Sequence, residues 1–210
     1  MKNLLEDHKP GIFLSDKEIF TKIWYSPRMV FKYIHENEYE KNTVFLLVLA
    51  GIARALDHIF HRGLANTMSA WQILALCIFG GGLFGWFSYW LYSAMTCWIG
   101  DLLGGEGNTS DLLRVLSYAM LPYILGLTIL IYGTEVFKSG TSMISGFTSY
   151  ILVYGLIIIK GVLSIWTIVL CVIGVSEVQK FSIIKTILNL ILPGLILILP
   201  GAILFFLKAR

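Results

Sequence analysis

From Thr43 to the C-terminus the chain alternates long apolar runs with short polar breaks, and five of the runs approach or exceed the ~20 residues that cross roughly 30 Å of hydrocarbon. They cover Thr43 to about His61, Trp71 to about Gly100, Leu113 to about Gly133, Ser149 to about Gly174, and Ile183 to about Leu207. The second carries Trp71 and Trp98 at its ends. At helical rise these stand ~40 Å apart, close to the full bilayer thickness with headgroups, where indole rings anchor. Pro122 falls inside the third run, and Pro193 and Pro200 inside the fifth, so the last span is expected to be one kinked helix or two half-helices.

Ahead of the first run, "SDKEIFTKIWYSPRMVFKYI" changes pattern. Ser15 and Glu18 have capping-box spacing, and Phe20, Ile23, Trp24, Pro27, Val30, Phe31 and Ile34 fall near one helical face. Lys17, Lys22, Arg28 and Lys32 lie around the other side, and Ser26-Pro27 suits the end of one short helix and the start of another. The pattern predicts an interfacial helix or pair, on the membrane surface or docked under the bundle; a plain connecting segment fits it too. The expected fold is all-α: a polytopic membrane bundle of five transmembrane helices over residues 43–210, preceded by a cytosolic N-terminal arm over residues 1–42.

Composition excludes a water-soluble globule, since 57% of the 210 residues are hydrophobic, 14% are charged and the mean hydropathy is +0.77. The N-terminus has no unbroken apolar core or small-residue cleavage site, so the arm is expected to stay in the mature protein. With the N-terminus inside, ten Lys/Arg flank the spans on the cytosolic side and four (Arg62, Lys138, Lys208, Arg210) on the other, while Arg54 and Lys160 lie within spans. That asymmetry predicts N-inside, C-outside and five crossings, in the plasma (inner) membrane if the cell is prokaryotic. A net charge of +3 implies no nucleic-acid partner, and Cys77, Cys97 and Cys171 suit buried hydrophobes better than a disulfide frame.

"GGGLFG" at 80–85 matches a dinucleotide fingerprint in letters only, because it lies mid-span with no preceding strand. Gly81 and Gly85 instead have the four-residue spacing that lets membrane helices approach closely. "GGEGNTS" is no phosphate loop, for no Lys follows its glycines and Asp101 and Glu106 would repel the anion; Asn108 and Asp111 fit a helix cap and acidic first turn.

The charges within spans carry more information. Arg54 lies eleven residues after Thr43, about 16 Å deep, with Asp57 and His58 at i+3 and i+4, and Lys160 is expected at a similar depth. Each costs ~2.5–3.5 kcal/mol on the insertion scale, so all are expected to face the interior and find partners, either as an ion, proton or headgroup path or as a neutralised packing cluster. A metal on Asp57, His58 and His61 is not expected, nor is a cofactor, and no metalloprotease, nucleophile-elbow or intramembrane aspartate-pair motif points to an enzyme.

Taken together, "IWYSPRMVFKYI", "DLLGGEGNTSDLLRVLSYAMLP" and "SIWTIVLCVIGVSEVQKFSIIKTILNLILP" resemble the Yip family, the Ypt/Rab-interacting membrane proteins with five spanning helices. The resemblance implies a helical membrane domain with a cytosolic N-terminus and draws attention to Trp24, Pro27, Arg28, Gly104, Gly105, Arg114, Tyr118 and Pro122. Eukaryotic members are associated with Rab-type GTPases and vesicle traffic. This chain lacks their long cytosolic tail and looks more like the compact prokaryotic branch. Two functions stay open: a non-enzymatic adaptor or organiser of membrane proteins and lipids, and a small transporter, channel or lipid-moving protein using Arg54, Asp57 and Lys160. Expected partners are the lipid bilayer and other membrane proteins or further copies of the chain.

Overall fold

The computed structural model describes residues 14–64, 67–129 and 146–208. Lys138 and Arg210, counted above on the far side, and the third run beyond Ile129 lie outside the described residues.

Every regular element among the described residues is helical. The capping box forms: the Ser15 backbone N–H donates to Glu18 Oε2 at 2.9 Å, and the Glu18 N–H donates to Ser15 Oγ at 3.4 Å, starting α1 (Asp16–Lys22). Pro27 takes the first position of α2 (Pro27–Glu36), where its missing N–H costs nothing. A turn with Asn42 at φ 68° leads into α3 (Thr43–His61). A second capping box, Ser69 with Gln72, opens α4 (Ala70–Leu102). Asn108 Oδ1 accepts from the Asp111 N–H at 2.8 Å and caps α5 (Thr109–Ile129). The last two helices are α6 (Gly146–Gln179) and α7 (Ile183–Lys208).

Four stretches are long and apolar enough to cross a membrane: α3, α4, α5 and residues Tyr154–Gln179 of α6; α7 carries a shorter apolar run, Ile183–Ile196. Pro193 and Pro200 lie within the single helix α7, so it is not split into half-helices. Outward positions are apolar as well. Ile158, Val162, Ile165 and Ile168 line one face of α6 and are exposed, as are Trp71, Phe79, Leu83 and Phe84 on α4. Water does not tolerate so continuous an apolar exterior on a monomer, and the chain is an integral membrane protein.

Two features fix the packing. Within α4, Leu76–Leu83 is wound as a π-helix containing Gly80, Gly81 and Gly82, and this segment lies against α3. At the crossing a Cβ on Gly51 would stand 2.0 Å from the Gly81 carbonyl oxygen, and one on Gly85 would stand 2.6 Å from Gly51 Cα. Backbone therefore meets backbone, the approach expected from the Gly81/Gly85 spacing.

The second feature is the arm. Ile19, Ile23, Val30, Phe31 and Ile34 are fully buried in one core with Leu46 of α3, Leu112, Val115, Leu116 and Tyr118 of α5, and Leu170, Val175 and Val178 of α6. Each such burial is worth about 1.5–3 kcal/mol, so α1 and α2 are docked under the bundle rather than free on a surface. The end where they dock is called the arm end below. It is thickened because α5 and α6 outlast the apolar runs there. α5 starts four residues before Leu113, at Thr109, and α6 continues five residues past Gly174, to Gln179.

Candidate functional site

At the arm end, the loop Leu103–Asn108 and the turn Lys180–Ser182 close on one side chain, Gln179, which is fully buried. Its Oε1 accepts the Gly107 N–H at 3.1 Å, while Cys97 Sγ donates to the Gly107 carbonyl at 3.3 Å. A Cβ on Gly100 or Gly105 would come within 2.3 Å or 2.1 Å of the Gln179 amide, so glycine is needed at both for space. Gly104 supplies the turn itself, at φ 81°, a conformation costly for a residue with a Cβ. On the other side Ser176 Oγ donates to the Phe181 carbonyl at 2.8 Å, and the Phe181 N–H to the Ser176 carbonyl at 3.2 Å; these bonds hold Lys180 at φ 55°. The glycine-rich loop is thus a collar around a glutamine amide.

One turn into α5 lies a charge network with a buried centre, Asp111 and Arg114, and an exposed edge, Glu40. Arg114 Nη1 donates to Asp111 Oδ1 at 2.6 Å, and Arg114 Nη2 and Nε donate to Glu40 Oε1 at 2.5 and 3.2 Å. His35 Nδ1 stands 3.2 Å from Asp111 Oδ2. Arg114 therefore ties α5 to the segment between α2 and α3, and Tyr118 adds a hydrogen bond from its hydroxyl to the Lys41 carbonyl. Of the other residues singled out by sequence, Trp24 and Pro27 are half-buried at the α1–α2 turn, Arg28 is exposed, and Pro122 is buried in α5. Arm, α5 start and collar are continuous, since Phe31 and Val115 both crowd the face of Gly174.

The charges within spans gather further up, toward the far end of α3. Lys160 Nζ donates to Asp57 Oδ1 in a partly buried ion pair, Tyr123 Oη donates to Asp57 Oδ2 at 3.2 Å, and His61 Nε2 lies 3.4 Å from Asp57 Oδ1. Arg54 and His58 do not join this pair. Both are exposed, and Arg54 has no ion-pair partner among the described residues, against the expectation that every charge faces inward. For His58 the reason is helical geometry: Asp57 and His61 are four apart and share a face, whereas His58 is turned ~100° from Asp57; Arg54, three residues before Asp57, is exposed instead. Among the described residues no group of three or more His, Cys, Asp or Glu is placed to hold a metal.

Two acids on the arm have shifted protonation. The Lys41 ammonium, 2.5 Å away, and the Tyr39 hydroxyl, 2.6 Å away, hold the Asp16 carboxyl below its usual range. Lys22 and the Ser15 cap pull Glu18 from 4.5 down to about 2. Because these pKa values are depressed by folding, their contribution is present above the unfolded values and is lost as pH falls toward the folded ones. The amide-exchange protection of residues 15–23, taken relative to the intrinsic rate at each pH, is therefore expected to fall between about pH 4.5 and 2, and less so in 1 M salt. Protection that stays flat across that window would show that neither carboxylate helps hold α1.

No curated protein and no solved structure matches the chain. One family model does, described as the Yip1 domain, over residues 21–205.

Proposed function

The chain belongs to the Yip1 domain family, and from that membership we propose that it is a non-enzymatic membrane adaptor or organiser working through its arm end. The observation that carries this reading is convergence. The arm, the loop Leu103–Asn108 and the turn Lys180–Ser182, far apart in sequence, form one platform whose outward side chains include Arg28, Lys32, Asp101, Glu106 and Asn108. A rigid platform with exposed polar groups suits a docking face. In the same reading α7 is the fifth crossing, the arm end is cytosolic as the ten-to-four Lys/Arg asymmetry favours, and the C-terminus lies opposite. In a prokaryotic cell this is the plasma membrane. The partners are other membrane proteins or further copies of the chain.

A second reading, a small transporter, channel or lipid-moving protein, draws on one observation: Arg54 is exposed within a span and has no ion-pair partner among the described residues. Against it, Asp57 is already occupied by Lys160 and Tyr123.

Purified protein in sealed liposomes is expected to show no proton, Na⁺, K⁺ or lipid-probe flux above empty vesicles. Photo-crosslinkers at Arg28 or Glu106 in native membranes are expected to trap discrete protein adducts. Flux that disappears in folded Asp57→Asn or Lys160→Met protein would overturn the ranking and make the charged cluster the working site.

A further inference from the structure

Trp24 stands at the tip of the α1–α2 hairpin and forms a wall of two separate apolar grooves. On one side the groove runs between α3 and α5, past Leu49 and Leu125; on the other it runs along α6, past Val162 and Trp166. Both are open to the surface, with volumes of about 220 and 350 Å³. The linings run from Leu46 on α3 to Leu125 on α5 and to Val162 on α6, so both grooves extend from the arm end along the apolar spans.

The charge beside this tip is uneven. Lys22 is paired with Glu18, Lys32 with Glu36 and Lys41 with Asp16. Arg28, four residues after Trp24 in the first turn of α2, and Lys17, seven residues before it in α1, are exposed and have no ion-pair partner among the described residues. The two helices joined at the Trp24 turn thus each carry one exposed cation without an ion-pair partner, while the grooves on either side of Trp24 are lined by apolar residues. A guanidinium suits a phosphate, and two troughs sharing one wall suit a molecule with two tails.

We propose that the α1–α2 hairpin seats one anionic two-chain glycerophospholipid, its tails in the grooves on either side of Trp24 and its phosphate held by Arg28, with Lys17 adding to the field. A zwitterionic lipid brings its own cation to the same place and loses most of that attraction. The seat deepens the organiser reading, on which it rests for the importance of the arm end. Its test measures lipid and not protein capture, so either can fail without the other.

The full chain is reconstituted in vesicles in which phosphatidylglycerol or phosphatidylcholine carries bromine on its acyl chains, a contact quencher of indole fluorescence. The Trp24 signal is isolated as the difference between wild type and Trp24→Phe. Brominated phosphatidylglycerol is expected to quench it at a several-fold lower mole fraction than brominated phosphatidylcholine. The preference should shrink in 1 M salt and be lost in Arg28→Gln, an exposed position whose change leaves the helical circular dichroism intact; Lys17→Gln should weaken it. Equal quenching by both lipids would mean ordinary annular lipid only. No quenching by either would mean that the grooves hold no tail. A preference that survives Arg28→Gln and Lys17→Gln together would remove the phosphate contact. Each of these three results overturns the seat.

Discussion

Gly51→Ala is expected to leave little folded protein in mild detergent at temperatures the wild type survives, a loss out of proportion to one added methyl group. The new Cβ would stand 2.0 Å from the Gly81 carbonyl oxygen and 3.0 Å from Gly85 Cα. Both are backbone atoms, so no rotamer change relieves the clash and α3 must move away from the π-wound segment of α4. Ordinary overpacking costs about 1–3 kcal/mol, and separating two helices that meet backbone to backbone belongs at or beyond the top of that range. Between membrane helices no hydrophobic drive makes up the difference, since lipid tails are as apolar as the lost neighbour. Gly161→Ala is the control, for its Cβ meets nothing within 4 Å and alanine favours helix. Thermal unfolding of the two variants side by side decides the matter. Equal midpoints would mean that the helices at the Gly51 crossing are not tightly held.

Asp57→Asn is expected to destabilise the protein by about 3–5 kcal/mol, because it leaves the Lys160 ammonium partly buried within a span without its counter-charge. The companion change discriminates. Adding Lys160→Met should recover more than half of the loss, whereas adding Arg54→Met should recover none, since Arg54 does not reach Asp57. Folded fraction against denaturant for the four proteins gives the coupling. Purely additive losses for Asp57→Asn and Lys160→Met would break the pair. The Tyr123 hydroxyl, donating to the second carboxylate oxygen, means that even the asparagine retains one partner, which keeps the estimate at the lower end.

Much of the fold could be read from local pattern. Apolar length found four stretches able to cross a membrane, Ser15 with Glu18 found the first helix start, and the spacing of Gly81 and Gly85 found a close crossing, because each depends on local sequence. What escaped depends on partners distant in the chain. Gln179 bonds Gly107 across 72 positions, and Lys160 bonds Asp57 across 103. No spacing rule links a glycine-rich loop to one particular amide so far away. Sequence found Arg54, Asp57, His58 and Lys160 as charges in spans, but depth alone could not choose which basic residue meets the acid. Glu40 and His35 lacked any local mark, since charged residues in a polar arm look solvated until Arg114 arrives beside them. The π-wound stretch is similar: three successive glycines permit it, and only the facing helix makes it worthwhile.

The docking of α1 and α2 also sets a timetable for synthesis. Phe31 lies beside Gly174, about 140 residues later in the chain, so at 5–20 residues per second the arm leaves the ribosome roughly 7–30 s before its full seat exists. During that interval Ile19, Ile23, Val30, Phe31 and Ile34 have each other, Leu46 and then the α5 residues Leu112 to Tyr118 beside them, but not the α6 side of their core, Leu170, Val175 and Val178. The nascent arm must wait at the lipid surface, held by the same alternation of apolar and basic positions that later locks it beneath the bundle. A chain interrupted before α6 is then a half-finished protein with an adhesive N-terminus, the form that quality-control proteases and insertion chaperones would meet first.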